Sequence, residues 1–171
     1  MDEAIARMIA STHSVTETQE MPTLDAFGLV LAKSVLAPMN VPPEDNSAMD
    51  GYAVRCADTA KPGATLKIAQ RIAAGETGLP LVAGTAARIF TGAPIPPGAD
   101  AVVMQELCTT SAETVTIQHS PKAGENIRTK GEDILQGTCL ITAGTRLTAA
   151  HLGLAASVGI AKLPVLRKPR I

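Results

Sequence analysis

Apolar residues recur at helical spacing near both ends of the chain, whereas the middle shows short runs broken by turn residues. The spacing predicts one helix over 2–12, a second that begins after Thr23, and a third that Thr148 caps and Gly159 ends. The apolar residues that set these faces are Ile5, Met8 and Ile9 in the first helix, Leu24, Phe27 and Leu31 in the second, and Leu152, Leu154, Ala155 and Val158 in the third.

Between the helices the pattern is typical of short β-strands. Pro38, Pro42 and Pro43 exclude a helix there, because proline lacks an amide hydrogen and clashes with the preceding turn. Strands are predicted over 52–55, 65–72, 87–90, 101–105, 114–118 and 162–167, a hairpin over 139–147, and a polar connection over 16–22.

The order of these elements predicts a β-rich α+β fold in which an inserted module of short, irregular strands interrupts a small helical and β domain. Residues 1–42 and 138–171 would form the discontinuous domain that contains the helices. Residues 43–137 would form the inserted β-rich domain.

Composition narrows the possible functions. Of the 171 residues, 46% are apolar and 18% are charged, which favours a packed core over disorder. One Tyr, two Phe and no Trp argue against stacking platforms for nucleic acid, and a net charge of −1 gives no general attraction to nucleic acid or anionic membranes. No apolar run is long enough to span a membrane, and the acidic start lacks the pattern of a signal peptide, so we expect a soluble, cytoplasmic protein. The three Cys and three His are scattered, which favours neither a zinc site nor disulfides.

The first candidate for chemistry is a proline-stiffened acidic loop over 42–55. Asp45 and Asp50 are carboxylates of the kind that hold Mg²⁺ together with water molecules. The alternative is purely structural, since Asp50 before Gly51 also favours a tight turn.

Two further segments combine turn residues with polar groups. In 90–106, Thr91 and Gly92 can offer a hydroxyl and backbone amides to an anion, although the segment is also explained as a rigid connection. In 124–133, Arg128 and the acids that follow it can bind an oxyanion, although a solvated charged surface explains them equally well.

Together these segments resemble a known family. Asn-Ser-Ala-Met-Asp-Gly-Tyr-Ala-Val-Arg over 46–55, Thr-Gly-Ala-Pro-Ile-Pro over 91–96, Ala-Val-Val-Met-Gln-Glu over 101–106, and Asn-Ile-Arg followed by Gly-Glu-Asp-Ile over 126–134 are similar to the molybdopterin molybdenumtransferases. These are the bacterial molybdenum insertases, which are related to the E domain of gephyrin. The resemblance spans nearly the whole chain.

The resemblance implies a transferase of molybdenum-cofactor biosynthesis. Such an enzyme inserts molybdate into adenylylated molybdopterin, releases AMP, uses Mg²⁺ and works as a homodimer; other proteins of the same biosynthesis are possible partners. It implies catalytic roles for Asp50 and Asp133, and it assigns no metal ligands. The substrate-binding residues that it implies are Thr91, Ser47, Gly92, Glu106 and Arg128.

The resemblance also sets an expectation about the extent of the chain. Members of this family continue for more than two hundred residues beyond the point that matches Ile171, so we expect this chain, taken alone, to be inactive. If the first helix packs on that missing part, its Ile5, Met8 and Ile9 face should be exposed here. Two alternatives stay open: a non-enzymatic dimerisation or scaffold module of the same fold, and an unrelated small β-rich ligand-binding domain.

Overall fold

The computed structural model describes residues 2–11 and 13–168 and divides into two compact units. One unit comprises Met1–Met39 together with Gln136–Ile171, and the other comprises Asn40–Leu135. The predicted β-rich α+β class is confirmed by two helices and twelve short strands among the described residues. The predicted division into two domains, with boundaries at 42/43 and 137/138, stays a prediction.

The first unit combines both helices with two small antiparallel ladders. Helix α1 is Asp2–Ala10 and helix α2 is Ala149–Ser157. The strands pair outer segments of the chain: β1 (Thr18–Pro22) with β12 (Lys162–Leu166), and β2 (Val35–Leu36) with β11 (Cys139–Ile141). The core residues are Ala26, Leu29, Leu31, Val35, Ile141, Leu147, Leu152, Ala155, Leu163 and Val165.

The second unit is built on one six-stranded mixed sheet in the order β7-β4-β6-β5-β9-β8. The strands are β4 (Gly51–Val54), β5 (Ala64–Ile72), β6 (Thr85–Ile89), β7 (Ala101–Met104), β8 (Cys108–Ser111) and β9 (Thr114–Ile117). Only β5 and β6 run parallel within this sheet. A separate two-stranded ladder joins β3 (Asn46–Ser47) to β10 (Ile127–Arg128).

Strand β4 is buried on both faces of this sheet. Tyr52 and Val54 belong to one apolar cluster and Ala53 to the other. A strand that is covered on both sides needs no polar alternation, which explains the run of apolar residues in this segment.

The predicted helix after Thr23 is wrong. Thr23–Asp25 forms a single 3-10 turn, and Gly28 then takes φ +74°, a left-handed conformation that ends helical geometry. The chain continues in extended form, and Leu31 bridges to Val165. The apolar spacing alone favours a helix. Pairing with a segment that is distant in sequence instead holds these residues in an extended conformation.

Two other expectations in this unit are also wrong. The residues of the predicted 139–147 hairpin do not pair with each other, because Ile141 pairs with Val35 and Arg146 bridges to Val30. The predicted connection over 16–22 contains strand β1. The strand predicted near the end and the helix between Thr148 and Gly159 are confirmed.

Helix α1 is exposed along its whole length. The side chains of its apolar face remain open to solvent, with exposed fractions of 48% at Ile5, 67% at Met8 and 66% at Ile9. The exposure is what we expect if this helix packs on a further part of the protein, and that packing stays a prediction. No helix among the described residues is long and apolar enough to cross a membrane.

We expect Thr23→Val to destabilise the first unit. Thr23 is buried, and its hydroxyl donates a hydrogen bond of 2.6 Å to the Ile160 carbonyl. Valine keeps the shape but leaves that carbonyl without this donor, at a cost of about 1–3 kcal/mol. Chemical denaturation should show this loss, whereas Thr16→Val, at an exposed position of the same unit, should leave the free energy of unfolding unchanged.

Candidate functional site

Asp50 lies at the start of the buried strand β4 and is held by one neighbour. Its Oδ1 atom accepts hydrogen bonds from the Thr91 backbone amide and the Thr91 hydroxyl, both at 2.8 Å. The amide, then the hydroxyl, lower the pKa of Asp50, and Arg88 adds a smaller effect in the same direction. The side chain is therefore an ionised carboxylate held in one orientation directly before the first residue of β4.

Gly51 explains how the chain can reach this position. A Cβ atom built on Gly51 would collide with the backbone carbonyl of Val103 on the adjacent strand β7. Glycine lets the backbones of β4 and β7 approach closely. Asp50 is therefore held directly next to the first paired residue of β4. The Asp50–Gly51 dipeptide therefore allows the close approach of two strands in addition to favouring a tight turn.

Ser47 and Gly92 are joined through the backbone. The Gly92 amide donates to the Ser47 carbonyl at 2.8 Å, and the Ser47 amide donates to the Ala93 carbonyl at 2.9 Å. The buried Ser47 hydroxyl donates to the Met49 carbonyl at 2.6 Å, so it braces the turn that leads to Asp50. The Asp50 and Thr91 segments are thereby tied together at two points.

Arg128 and Asp133 form the shortest ion pair of the third candidate segment. The Arg128 guanidinium donates to Asp133 at 2.6 Å and to Glu132 at 3.4 Å. The Asp133 contact is the largest cause that raises the pKa of Arg128. Since Arg128 stands opposite Asn46 in the β3–β10 ladder, its side chain starts from the strand that pairs with the Ser47 segment, while Asp133 reaches it from the loop that follows. Among the described residues, no hydrogen bond or ion pair joins Asp50 to Asp133 directly.

Glu106 is linked to Asp50 through the residue before it. The Gln105 amide donates to the Asp50 carbonyl at 3.1 Å, and the Gln105 side-chain amide contacts Glu106 at 3.3 Å. Arg88 completes this group, because its guanidinium donates to the Gln105 side chain at 2.7 Å. Sequence reasoning missed Arg88; the only available signal was a charged residue inside a predicted strand.

Two of the three cysteines have thiols that are poorly suited to act as nucleophiles at neutral pH. Burial raises the pKa of both the Cys56 and Cys108 thiols to about 11, so both stay protonated. Cys139 is free and exposed. The described part of the chain contains no group of three or more His, Cys, Asp or Glu residues placed to hold a metal ion.

Comparison with known proteins identifies the family of this chain. A family model described as the MoeA N-terminal region (domain I and II) matches residues 1–159. The chain belongs to the MoeA N-terminal family.

Relatives within this family share both sequence and fold with the chain. Molybdopterin molybdenumtransferase 2 of Mycobacterium tuberculosis is 43% identical over 174 residues, which cover 98% of this chain and 42% of that protein. The molybdopterin molybdenumtransferase of Haemophilus influenzae is 38% identical over 175 residues, which cover all of this chain and 43% of that protein. A crystal structure of the molybdopterin biosynthesis MoeA protein of Pyrococcus horikoshii superposes with a TM-score of 0.90 at 34% identity, over 98% of this chain and 44% of that one. The chain thus spans less than half the length of these MoeA relatives.

In this MoeA region, Thr91→Val is expected to raise the pKa of Asp50. Valine removes the hydroxyl donor and keeps the backbone amide, so part of the lowering should remain. A carboxylate with a lowered folded-state pKa stabilises the fold above its unfolded pKa of about 3.9, and that contribution is lost as the pH falls through the folded pKa. Carbon-detected NMR titration of Asp50 should show the rise in Thr91→Val but not in Thr91→Ser; an unchanged pKa in Thr91→Val would contradict the role of the hydroxyl.

Proposed function

We propose that this chain contributes to the active centre of a molybdopterin molybdenumtransferase. The reaction inserts molybdate into adenylylated molybdopterin, with release of AMP, in molybdenum-cofactor biosynthesis. The observation that carries the proposal is the Asp50–Thr91 pair, in which two short hydrogen bonds fix an ionised carboxylate within the family motif. We further propose a homodimer that works in the cytoplasm.

The residues present suit the chemistry of an anionic substrate. Thr91 orients Asp50, and the Asp50 Oδ2 atom receives no hydrogen bond from the described residues. That oxygen is suited to hold a Mg²⁺ ion together with water molecules. When bound, Mg²⁺ would stabilise the charge that develops on the adenylate phosphate as AMP leaves.

The second charged group has a different task in this proposal. Arg128 is held by Asp133 and Glu132, so its guanidinium is fixed at one position on β10. A guanidinium that is oriented in this way binds an oxyanion with little loss of side-chain freedom. Asp133 would therefore act by positioning Arg128, while Glu106 is tied by Gln105 to the backbone of Asp50.

A chimeric enzyme tests the proposal. Residues 1–168 of this chain would replace the matching region of the Haemophilus influenzae relative, which is 38% identical. In a bacterial strain without its own molybdopterin molybdenumtransferase, we expect the chimera to restore the activity of a molybdenum-dependent reductase. A folded, soluble chimera that fails to restore the reductase, beside an active parent enzyme, would overturn the proposal.

A further inference from the structure

Four side chains on the sheet of the second unit alternate between aromatic rings and guanidinium groups. Arg88 lies 5.3 Å from the Tyr52 ring centre and 4.7 Å from the Phe90 ring centre. Arg71 lies over the same Phe90 ring, also at 4.7 Å. We call these residues, Tyr52, Arg88, Phe90 and Arg71, the Arg–aromatic ladder.

The strand register explains why these residues meet. Tyr52 on β4 stands opposite Arg88 on β6, and Arg88 stands beside Arg71 on β5. Phe90 comes two positions after Arg88 and so projects toward the same face of the sheet. Three residues of the ladder thus lie on paired strands, and Phe90 directly follows β6.

The two guanidiniums of the ladder differ in their hydrogen bonds. Arg88 is occupied, since it donates to the Gly51 carbonyl at 3.1 Å and to Gln105 at 2.7 Å. Arg71 is exposed at the open end of the ladder. In the part of the chain that the structure describes, no carboxylate lies within ion-pair distance of the Arg71 guanidinium. No acceptor there takes a hydrogen bond from this side chain.

Two positive groups against one ring repel each other unless an anion offsets their charge. Two carboxylates of the same unit are engaged elsewhere: Asp50 with Thr91, and Glu76 with the Ala73 amide at 3.1 Å. A planar guanidinium that stacks on an aromatic ring keeps its five N–H donors free along its edge, which is the geometry that phosphate groups bind.

We propose that Arg71, stacked on Phe90, is an oxyanion-binding residue that takes a tetrahedral, phosphate-type group. The oxyanion can be free or can be part of a phosphate ester. Binding at Arg71 would hold whether or not the chain takes part in molybdenum transfer, because it depends only on the ladder.

Direct binding to the chain tests this site. Inorganic phosphate and adenosine monophosphate would be titrated separately at low ionic strength, and backbone amide shifts recorded by NMR. We expect shifts at Arg71 and around Phe90, with a Kd on the order of 1 mM for the better of the two ligands. Tighter binding of the nucleotide would identify a phosphate ester as the natural group, and equal binding would identify a free oxyanion.

Matched variants separate a specific site from general charge attraction. Arg71→Gln should weaken binding about tenfold or more, and Arg71→Lys should also weaken it because lysine lacks the planar fork. Phe90→Leu keeps the charge and should weaken binding about two- to fivefold through loss of the stack. Lys67→Gln removes the same charge from an exposed position on the same strand and should leave binding unchanged. The proposal is overturned if neither ligand shifts these residues in the wild-type chain, or if Lys67→Gln weakens binding as much as Arg71→Gln.

Discussion

Replacing Asp50 with asparagine is expected to lower the activity of the chimeric transferase by about a hundredfold or more, without unfolding the protein. Asparagine keeps the size of the side chain and an oxygen that can accept the two Thr91 hydrogen bonds. It lacks the negative charge that the proposed function requires for holding Mg²⁺. Because Asp50 is exposed, the loss of charge should cost little stability.

Reductase activity in the complemented strain and AMP release by the purified chimera would measure this effect. Glu113→Gln is the matched control, since Glu113 is an exposed acid of the same unit on the β8–β9 turn. We expect full activity from that control. If Asp50→Asn retained more than about half of the activity, the carboxylate would have no role in the chemistry and the proposed function would lose its main support.

The second large effect is on stability. Gly51→Ala is expected to destabilise the second unit strongly, because the new methyl group would meet the Val103 carbonyl, a backbone group that cannot rotate out of the way. Inserting atoms into a packed interior typically costs about 1–3 kcal/mol, and a collision with a neighbouring strand lies at or above the top of that range. Thermal unfolding followed by circular dichroism would measure the loss.

A second glycine provides the contrast. Gly153 lies within α2, and a Cβ atom there would meet no atom within 4 Å. Gly153→Ala should therefore stabilise the chain by roughly 0.5–1 kcal/mol, since alanine is the better helix former. Equal stabilities of the two variants would show that the strands can separate to admit the methyl group at position 51.

Five of the six strands in the large sheet of the second unit were predicted, whereas β8, the short β3–β10 ladder and several pairings in the first unit were not. Strands such as 65–72 carry local signals, namely β-prone runs between glycine and proline turns. Leu31 offered only a helical spacing, and its extended conformation depends on Val165, which lies far away in sequence. Pairing at such separation leaves no mark in a local window, so the helix after Thr23 was the wrong inference.

The candidate site shows a similar division. Asp50 and Thr91 were predicted from turn residues and from the family resemblance, and the structure joins them directly. Arg88 was missed because its importance comes from cross-strand neighbours, Tyr52 and the Asp50 segment, that only the register brings together. The functional roles assigned to all seven site residues stay predictions: Asp50, Asp133, Thr91, Ser47, Gly92, Glu106 and Arg128.

The insertion of one unit within the other has a consequence for the order of folding. The first unit must pair Thr18 with Leu166, across the whole of the inserted segment. Once that segment is folded, its ends meet at the Val41–Ile134 bridge, which shortens the loop to be closed and lowers the entropic cost by roughly 1 kcal/mol. We therefore expect the inserted unit to fold first on the ribosome and the outer unit to assemble last. Faster hydrogen exchange at the Leu31 amide in the Gly51→Ala chain would reveal this dependence, and unchanged exchange there, with the inserted unit unfolded, would exclude it.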